Sequence, residues 1–383
     1  MGANWMQFVA GGLTAGAVYA LVALGFSIVY HASRAINFAQ GEFVMIGGMG
    51  AVSLVALGLP LWAAVPLAVA GAMLVGLLVQ RLALEPAQAG GQADVVTLII
   101  ITIGVALFLR GLAQLVWDKG IHSLPAFTGS EPMHLGGATV MPQSLWVLGG
   151  SAVAVLALGW FFNRTLLGKA MRATAINPLA ARLMGISTRG VMRLSFVLAA
   201  ALGALGGVLT APITLTSYDV GVMLGLKGFA AAMLGGLGSF GGAVAGGLLL
   251  GLIEGLGAGF VSSAYKDVIA FVVILLAALL LGALVAWPLS SVIRKAGLGF
   301  VDRFLGAVFG IARGAVLVMA FVLIAGLTTL PQRDWWQNAA LAKPLAVAAL
   351  SLAPWLPRQW AERLDYSREG RTLPRAAPAD RKV

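Results

Sequence analysis

MQFVAGGLTAGAVYALVALGFSIVY, residues 6–30, runs for twenty-five residues without a charge. About 20 apolar residues suffice to cross the hydrocarbon of a bilayer, so a run of this kind asks for lipid on its outside. It lacks a basic leading segment and a convincing small-residue cleavage site, so it is expected to be retained as a span rather than removed as a signal peptide. The rest of the chain has the same character. Over 383 residues it is 60% hydrophobic and only 10% charged, against about 25% charged in an ordinary soluble domain. That excludes a soluble enzyme. Further apolar segments fall at 38–57, 60–80, 95–117, 143–163, 191–213, 223–236, 242–262, 266–289 and 304–327. They predict an all-α, polytopic integral membrane protein of nine or ten segments, because a helix satisfies its own backbone in lipid.

The formal charge is +11, which in a soluble chain would suggest nucleic acid as partner. Its distribution points instead to topology, and no nucleic-acid partner is expected. Arg164, Lys169, Arg172, Arg182, Arg189 and Arg193 occur with no acid among them, the bias of a cytoplasmic loop. Alternation from that loop puts the N-terminus and the loop 118–142, with Pro125, Pro132 and Pro142, on the outer side. The short segment 223–236 then descends, turns at 238–242 and returns.

Catalytic chemistry is not legible. Cysteine is absent and the three histidines (His31, His122, His134) are far apart, so no metal site or other cofactor is expected. There is no phosphate-binding G-x-x-x-x-G-K-[ST] loop, and no nucleophile–base arrangement can be drawn. The informative residues are ionisable groups within apolar segments: Glu42, Arg110, Lys227, Glu254 and Arg313. Such groups are expensive in lipid and face a partner or a cavity. Asn37, Gln40 and Glu42 are read as polar side chains at the cytoplasmic end of a helix pair, either capping a helix or lining a translocation path. Lys227 and Glu254 are placed to pair across the glycine-rich turn or to contact substrate. Arg110 is expected to snorkel to the outer interface.

Gly247, Gly251, Gly255 and Gly259 form an i, i+4 ridge, which lets helix backbones approach closely where packing rather than burial drives association. A short pair of glycine-interrupted segments is also what a discontinuous, path-lining helix looks like. In the basic loop, Ala175, Ile176, Asn177 and Pro178 followed by Leu179, Ala180, Ala181 and a stop at Gly185 read as a cap, a first-turn proline and a short helix. Its small residues are expected to be exposed and to dock into a cleft on a partner.

The runs 16–30, 35–47 (AINFAQGEFVMIG), 98–127, 168–186 and 225–267 (with GLKGFAAAMLGGLGSFGGAVAGGLLLGLIEGL) resemble the permease subunits, specifically the H-type subunit, of branched-chain amino acid ABC importers. The likeness covers nearly all of residues 1–280. It implies an importer permease fold that pairs with a second permease subunit, two cytoplasmic ATPase subunits and a periplasmic amino-acid-binding protein. ATP hydrolysis then belongs to the partners and the chain is not itself an enzyme. The resemblance also implies a coupling role for the segment with Ala175, Asn177, Pro178, Ala180, Ala181 and Gly185. Two departures stand out: Gln80-Arg81 and Glu85-Pro86 replace a more basic family pattern. Urea or short amides as cargo, and an ion-coupled transporter using Glu42, Lys227 and Glu254, are the competing readings.

Beyond residue 282 the chain resembles the C-terminal half of the colicin V production family. The likeness runs through Gly297-Leu298-Gly299, Asp302-Arg303, Gly310, Arg313-Gly314 and Trp335-Trp336. Expected divisions are a permease domain over 1–289, a membrane helix and amphipathic tail over 290–364, with Trp335, Trp336, Trp355 and Trp360 in the interface, and a disordered tail over 365–383. A fusion and a rearranged reading frame across 266–289 are both open.

Overall fold

The apolar run that opens the chain becomes α1 (Asn4–Ser33), and every later apolar segment as far as 262 becomes a helix as well. They are α2 (Gln40–Ala56), α3 (Leu61–Leu78), α5 (Val95–Trp117), α6 (Pro142–Arg164), α9 (Thr188–Thr214), α10 (Val220–Gly235) and α11 (Phe240–Phe260). Short helices α4 (Glu85–Ala89), α7 (Leu166–Ile176) and α8 (Pro178–Leu183) lie between them. This computed structural model describes residues 4–89, 94–129, 131–135 and 138–260, scattered positions from 268 to 339, and 342–351. Six of its helices are long and apolar enough to cross a membrane, α1, α3, α5, α6, α9 and α11, and two apolar helices, α2 and α10, are shorter. Apart from those scattered positions, the expected spans 266–289 and 304–327, with Arg313 and most of the tail, lie outside the described residues.

The chain divides into two compact units, 1–281 and 282–383. In the second, α12 (Ala342–Ser351) carries Ala342 and Ala349, which are buried with Val322 and Trp336. In the first, α1 and α9 are the most enclosed spans, and they run in opposite directions. α1 ends at the face that bears the basic loop, where Arg34 Nη2 donates to the Ala175 carbonyl at 2.6 Å. α9 starts from that same face, capped by the Ser187 hydroxyl.

Both long helices end alike. Arg34 (φ 57°) and Leu215 (φ 64°) both have positive φ, and their amides donate to the Tyr30 and Ala211 carbonyls four residues back as the chain turns out of each helix. A return of a few residues ending in a turn follows in each case, 35–39 and 216–219, and then a short helix. The Gln40 side chain lies against Gly25, eight residues before the end of α1, so α2 begins inside the protein and not at the end of α1. The backbone amide of Phe38 reaches Thr102 Oγ1 at 3.1 Å and Gln40 Nε2 reaches the Ala199 carbonyl at 2.9 Å, both mid-helix positions. The returning strand-like segment after α9 exchanges two backbone hydrogen bonds with His122, through Thr216, at 2.8 and 2.9 Å. The set α1–α2–α3 is thus repeated by α9–α10–α11 with inverted direction, an arrangement in which broken helices meet near the middle of the bilayer.

Helix ends are capped by local chemistry. Asp94 accepts from the Thr97 hydroxyl (2.7 Å) and amide (2.9 Å) at the start of α5, and these bonds hold its carboxyl below the usual carboxylate range. The last turns of α3 widen into π-type winding over Val79–Leu84. This carries Glu85 to Arg193, where a two-pronged ion pair closes at 2.8 and 3.1 Å. Glu85, one of the two departures from the resembled pattern, therefore has a specific partner on α9. The outer-side loop adds what an all-α expectation leaves out, a small hairpin of β1 (Met133–Leu135) and β2 (Ala138–Val140) in antiparallel register His134↔Thr139. Gln7 pairs both its amide groups with the Thr139 backbone, at 2.8 and 2.7 Å, and so ties β2 to the start of α1.

Candidate functional site

The N-terminal ends of α2 and α10 cross at glycines. A Cβ added to Gly41 would lie 3.1 Å from Gly225 Cα, and one on Gly225 would lie 3.0 Å from Gly41 Cα. Glu42 follows at once. Its side chain is 2% exposed, and its Oε1 accepts from Arg110 Nη2 of α5 at 2.6 Å. The depth of the α2 start corrects two expectations. Asn37, Gln40 and Glu42 do not stand at the cytoplasmic end of a helix pair, because the return 35–39 lifts them inside the bundle. Arg110 does not snorkel to an interface, because a buried carboxylate lies within reach and an ion pair is cheaper than stretching to water.

Beside the pair lies a cavity of about 180 Å³, lined by Phe26, Phe38, Ile103, Leu107, Leu226 and Phe229 together with Glu42, Arg110 and the three crossing glycines. Glu42 Oε2 and Arg110 Nε are buried and find no hydrogen-bond partner among the described residues. Asn37 is also buried. Its Oδ1 accepts from the Ala39 amide at 3.1 Å, bracing the return.

Lys227 and Glu254 meet directly. Lys227 Nζ donates to Glu254 Oε1 at 2.9 Å and to Tyr19 Oη at 3.1 Å, and Tyr19 Oη donates to Glu254 Oε2 at 2.8 Å. This triangle binds α1, α10 and α11 together. Around it the helices touch through glycine. A Cβ on Gly16 would lie 2.9 Å from the Gly247 carbonyl oxygen, one on Gly12 2.7 Å from the Gly251 oxygen, and one on Gly255 2.7 Å from Gly12 Cα, while Gly259 faces the Phe8 ring. The ridge of Gly247, Gly251, Gly255 and Gly259 is therefore seated on α1.

The basic loop holds two helices, not one. α7 is capped by Thr165, whose hydroxyl accepts from Gly168, and α8 by Asn177, whose Oδ1 accepts from the Leu179 and Ala180 amides at 3.0 Å each. Pro178 is the first residue of α8, and Gly185 (φ 80°) follows its end. The expected exposure of small residues holds at Ala180 and Gly185 and fails at Ala175 and Ala181. Ala175 and Ala181 are buried, while Ile176 (84% exposed), Leu179 (67%), Leu183 (81%) and Met184 (82%) point outward. Of α8 only Ala181 is buried, so this short helix packs through that one small residue and its leucines are left outside.

Sequence reasoning had no sign of Tyr19, of Gly12 and Gly16 as counterparts to the glycine ridge, or of Gly221 and Gly225 at the crossing. The i, i+4 repeat of Gly12 and Gly16 was the available signal. Nothing local connects Arg110 with Glu42.

The family model described as branched-chain amino acid transport system / permease component matches residues 8–278. High-affinity branched-chain amino acid transport system permease protein LivH of Salmonella typhimurium is 34% identical over 294 residues, covering 72% of this chain and 94% of that one. Its counterpart BraD of Pseudomonas aeruginosa is 32% identical over 287 residues, 71% of this chain and 92% of that one. The ribose import permease protein RbsC of Escherichia coli is 27% identical over 274 residues, with 68% and 81% covered. Among solved structures, PsaBC from Streptococcus pneumoniae in complex with Fab covers 72% of this chain and 95% of its own at 14% identity and a TM-score of 0.42.

Proposed function

This chain belongs to the family of branched-chain amino acid transport system permease components, and on that premise we propose that its cargo is branched-chain amino acids. It is a permease subunit of an ABC importer, a multi-pass protein of the inner membrane. Relatives over 30% identical carry branched-chain amino acid transport in their names, whereas the ribose permease is more distant. Fold alone does not choose cargo, so urea and short amides are weighed only by that likeness.

A second permease subunit, two cytoplasmic ATPase subunits and a periplasmic amino-acid-binding protein complete the importer in this proposal. The basic loop 164–190 faces the cytoplasm and α8 docks on an ATPase. The observation that carries the coupling role is the group of Leu179 and Leu183 on α8 with Ile176 and Met184 at its two ends, large apolar side chains left open. Burying such a side chain in a partner contributes about 1.5–3 kcal/mol each. Arg34, bonded to Ala175, links any movement of this element to the end of α1. The permease alone can only equilibrate its cargo, so the ATPases' preference for one conformation must drive the cycle.

The path we assign runs past Asn37, Gln40 and Glu42. Lys227 and Glu254 we assign to holding the bundle, since each neutralises the other. Residues 282–362 we assign to an appended unit of colicin V production type, with no part in transport.

The coupling role is tested with the double variant Leu179→Asp/Leu183→Asp. Uptake of L-leucine is expected to fall at least about tenfold, as for loss of an interface anchor, with co-purification of the ATPases lost and the permease still present in the membrane. Unaltered co-purification would reject the docking surface.

A further inference from the structure

We propose that the Glu42–Arg110 pair is an exchange site for a zwitterionic α-amino acid, in which the substrate's ammonium takes Glu42 and its carboxylate takes Arg110. The inference rests on the importer reading above and assigns the chemistry by which this point of the path recognises its cargo.

Three observations meet here. The pair is made by one contact only, Arg110 Nη2 to Glu42 Oε1 at 2.6 Å. Glu42 Oε2 and Arg110 Nε are left buried and without a hydrogen-bond partner among the described residues, although both groups have further bonding capacity. A structural ion pair in lipid would be expected to use that capacity, as Lys227, Glu254 and Tyr19 do. The third observation is the adjoining cavity, whose walls of Phe26, Phe38, Ile103, Leu226 and Phe229 suit a branched aliphatic side chain. The glycines 41, 221 and 225 line it too, and let the starts of α2 and α10 touch backbone to backbone beside the pair.

The selectivity follows from charge balance. Separating a buried pair leaves two uncompensated charges, which is costly. A zwitterion supplies both counter-charges at once, so each protein group changes partner and none is stranded. An amine or a carboxylate alone repairs one side and strands the other. A neutral molecule repairs neither.

The experiment uses the assembled transporter in proteoliposomes, with saturating binding protein and L-leucine as the probe. The double variant Glu42→Gln/Arg110→Gln keeps a side-chain hydrogen bond between the same positions but removes both charges. A merely structural latch is therefore preserved and an exchange site is lost. ATP-driven uptake is expected to fall at least about tenfold, one step of 1.4 kcal/mol, with the ATPases still co-purifying. Uptake within about twofold of the unaltered transporter, by the same arithmetic, would overturn the proposal. If the double variant does not assemble, Arg110→Lys gives the reading: it keeps the charge and loses Nε, and a several-fold rise in the uptake KM is expected. An unchanged KM overturns the exchange site. Absence of ATP-driven leucine uptake in the unaltered transporter would instead reject the importer's assigned cargo, a different failure from loss of the exchange site.

Discussion

At the scale of single residues, the energetics are set by charges that lipid will not tolerate alone. Lys227 and Glu254 have side chains only 9% and 7% exposed, and their mutual pairing with Tyr19 is what makes them tolerable. Removing one partner strands the other. Lys227→Ala is expected to cost about 3–5 kcal/mol, read as a lowered thermal unfolding midpoint and lower yield in detergent. Lys227→Met with Glu254→Gln is expected to recover most of it, because the unpaired charge is gone; failure to recover would assign the pair a role beyond packing. The pairing was legible in the sequence, since both ions lie in adjacent apolar segments. Tyr19 was not, because a tyrosine in an apolar run looks like any other large side chain until a neighbour 208 residues away is placed beside it.

At the scale of elements, the glycines separate into those that touch backbone and those that face open space. Gly16 has no room: a Cβ would meet the Gly247 oxygen at 2.9 Å. Gly104, on α5, has nothing within 4 Å. Gly16→Ala is therefore expected to destabilise by about 1–3 kcal/mol as overpacking. Gly104→Ala is expected to be neutral or stabilising by up to about 1 kcal/mol, the helix propensity gained. Thermal unfolding of the two variants in one detergent checks the contrast, and equal effects would show that the α1–α11 contact is loose. The i, i+4 ridge was readable from spacing, but spacing does not say which helix receives it. The same limit holds for α8: caps and proline announced the helix, yet which of its sides faces outward depended on how it lies against the bundle.

At the scale of the molecule, residues 1–281 form a compact unit that contains the whole family match over 8–278. Truncation after residue 281 is expected to leave a permease that inserts, co-purifies with its ATPases and supports leucine uptake within about twofold, since sites in separate compact units contribute nearly independently. Loss of uptake with insertion intact would give the appended unit a transport role. Expectation and structure differ most in α2 and α10. By composition α2 reads as a span and α10 as a short segment, and at 17 and 16 residues both reach only about 25 Å, short of the roughly 30 Å hydrocarbon. The returns 35–39 and 216–219 supply the remaining depth.

What the sequence determined by itself was the solvent, the order of helices, the basic loop with its capped helix, and the presence of ions that needed partners. These follow from composition, periodicity and capping, all of which act within a few residues along the chain. Tertiary structure alone decided that the starts of α2 and α10 meet inside the bundle, that Glu42 pairs with Arg110 beside a cavity, and that α8 buries Ala181 and leaves Leu179 and Leu183 open. Those outcomes depend on contacts between segments far apart in sequence, where charge balance and backbone clearance select one arrangement and no local pattern records which.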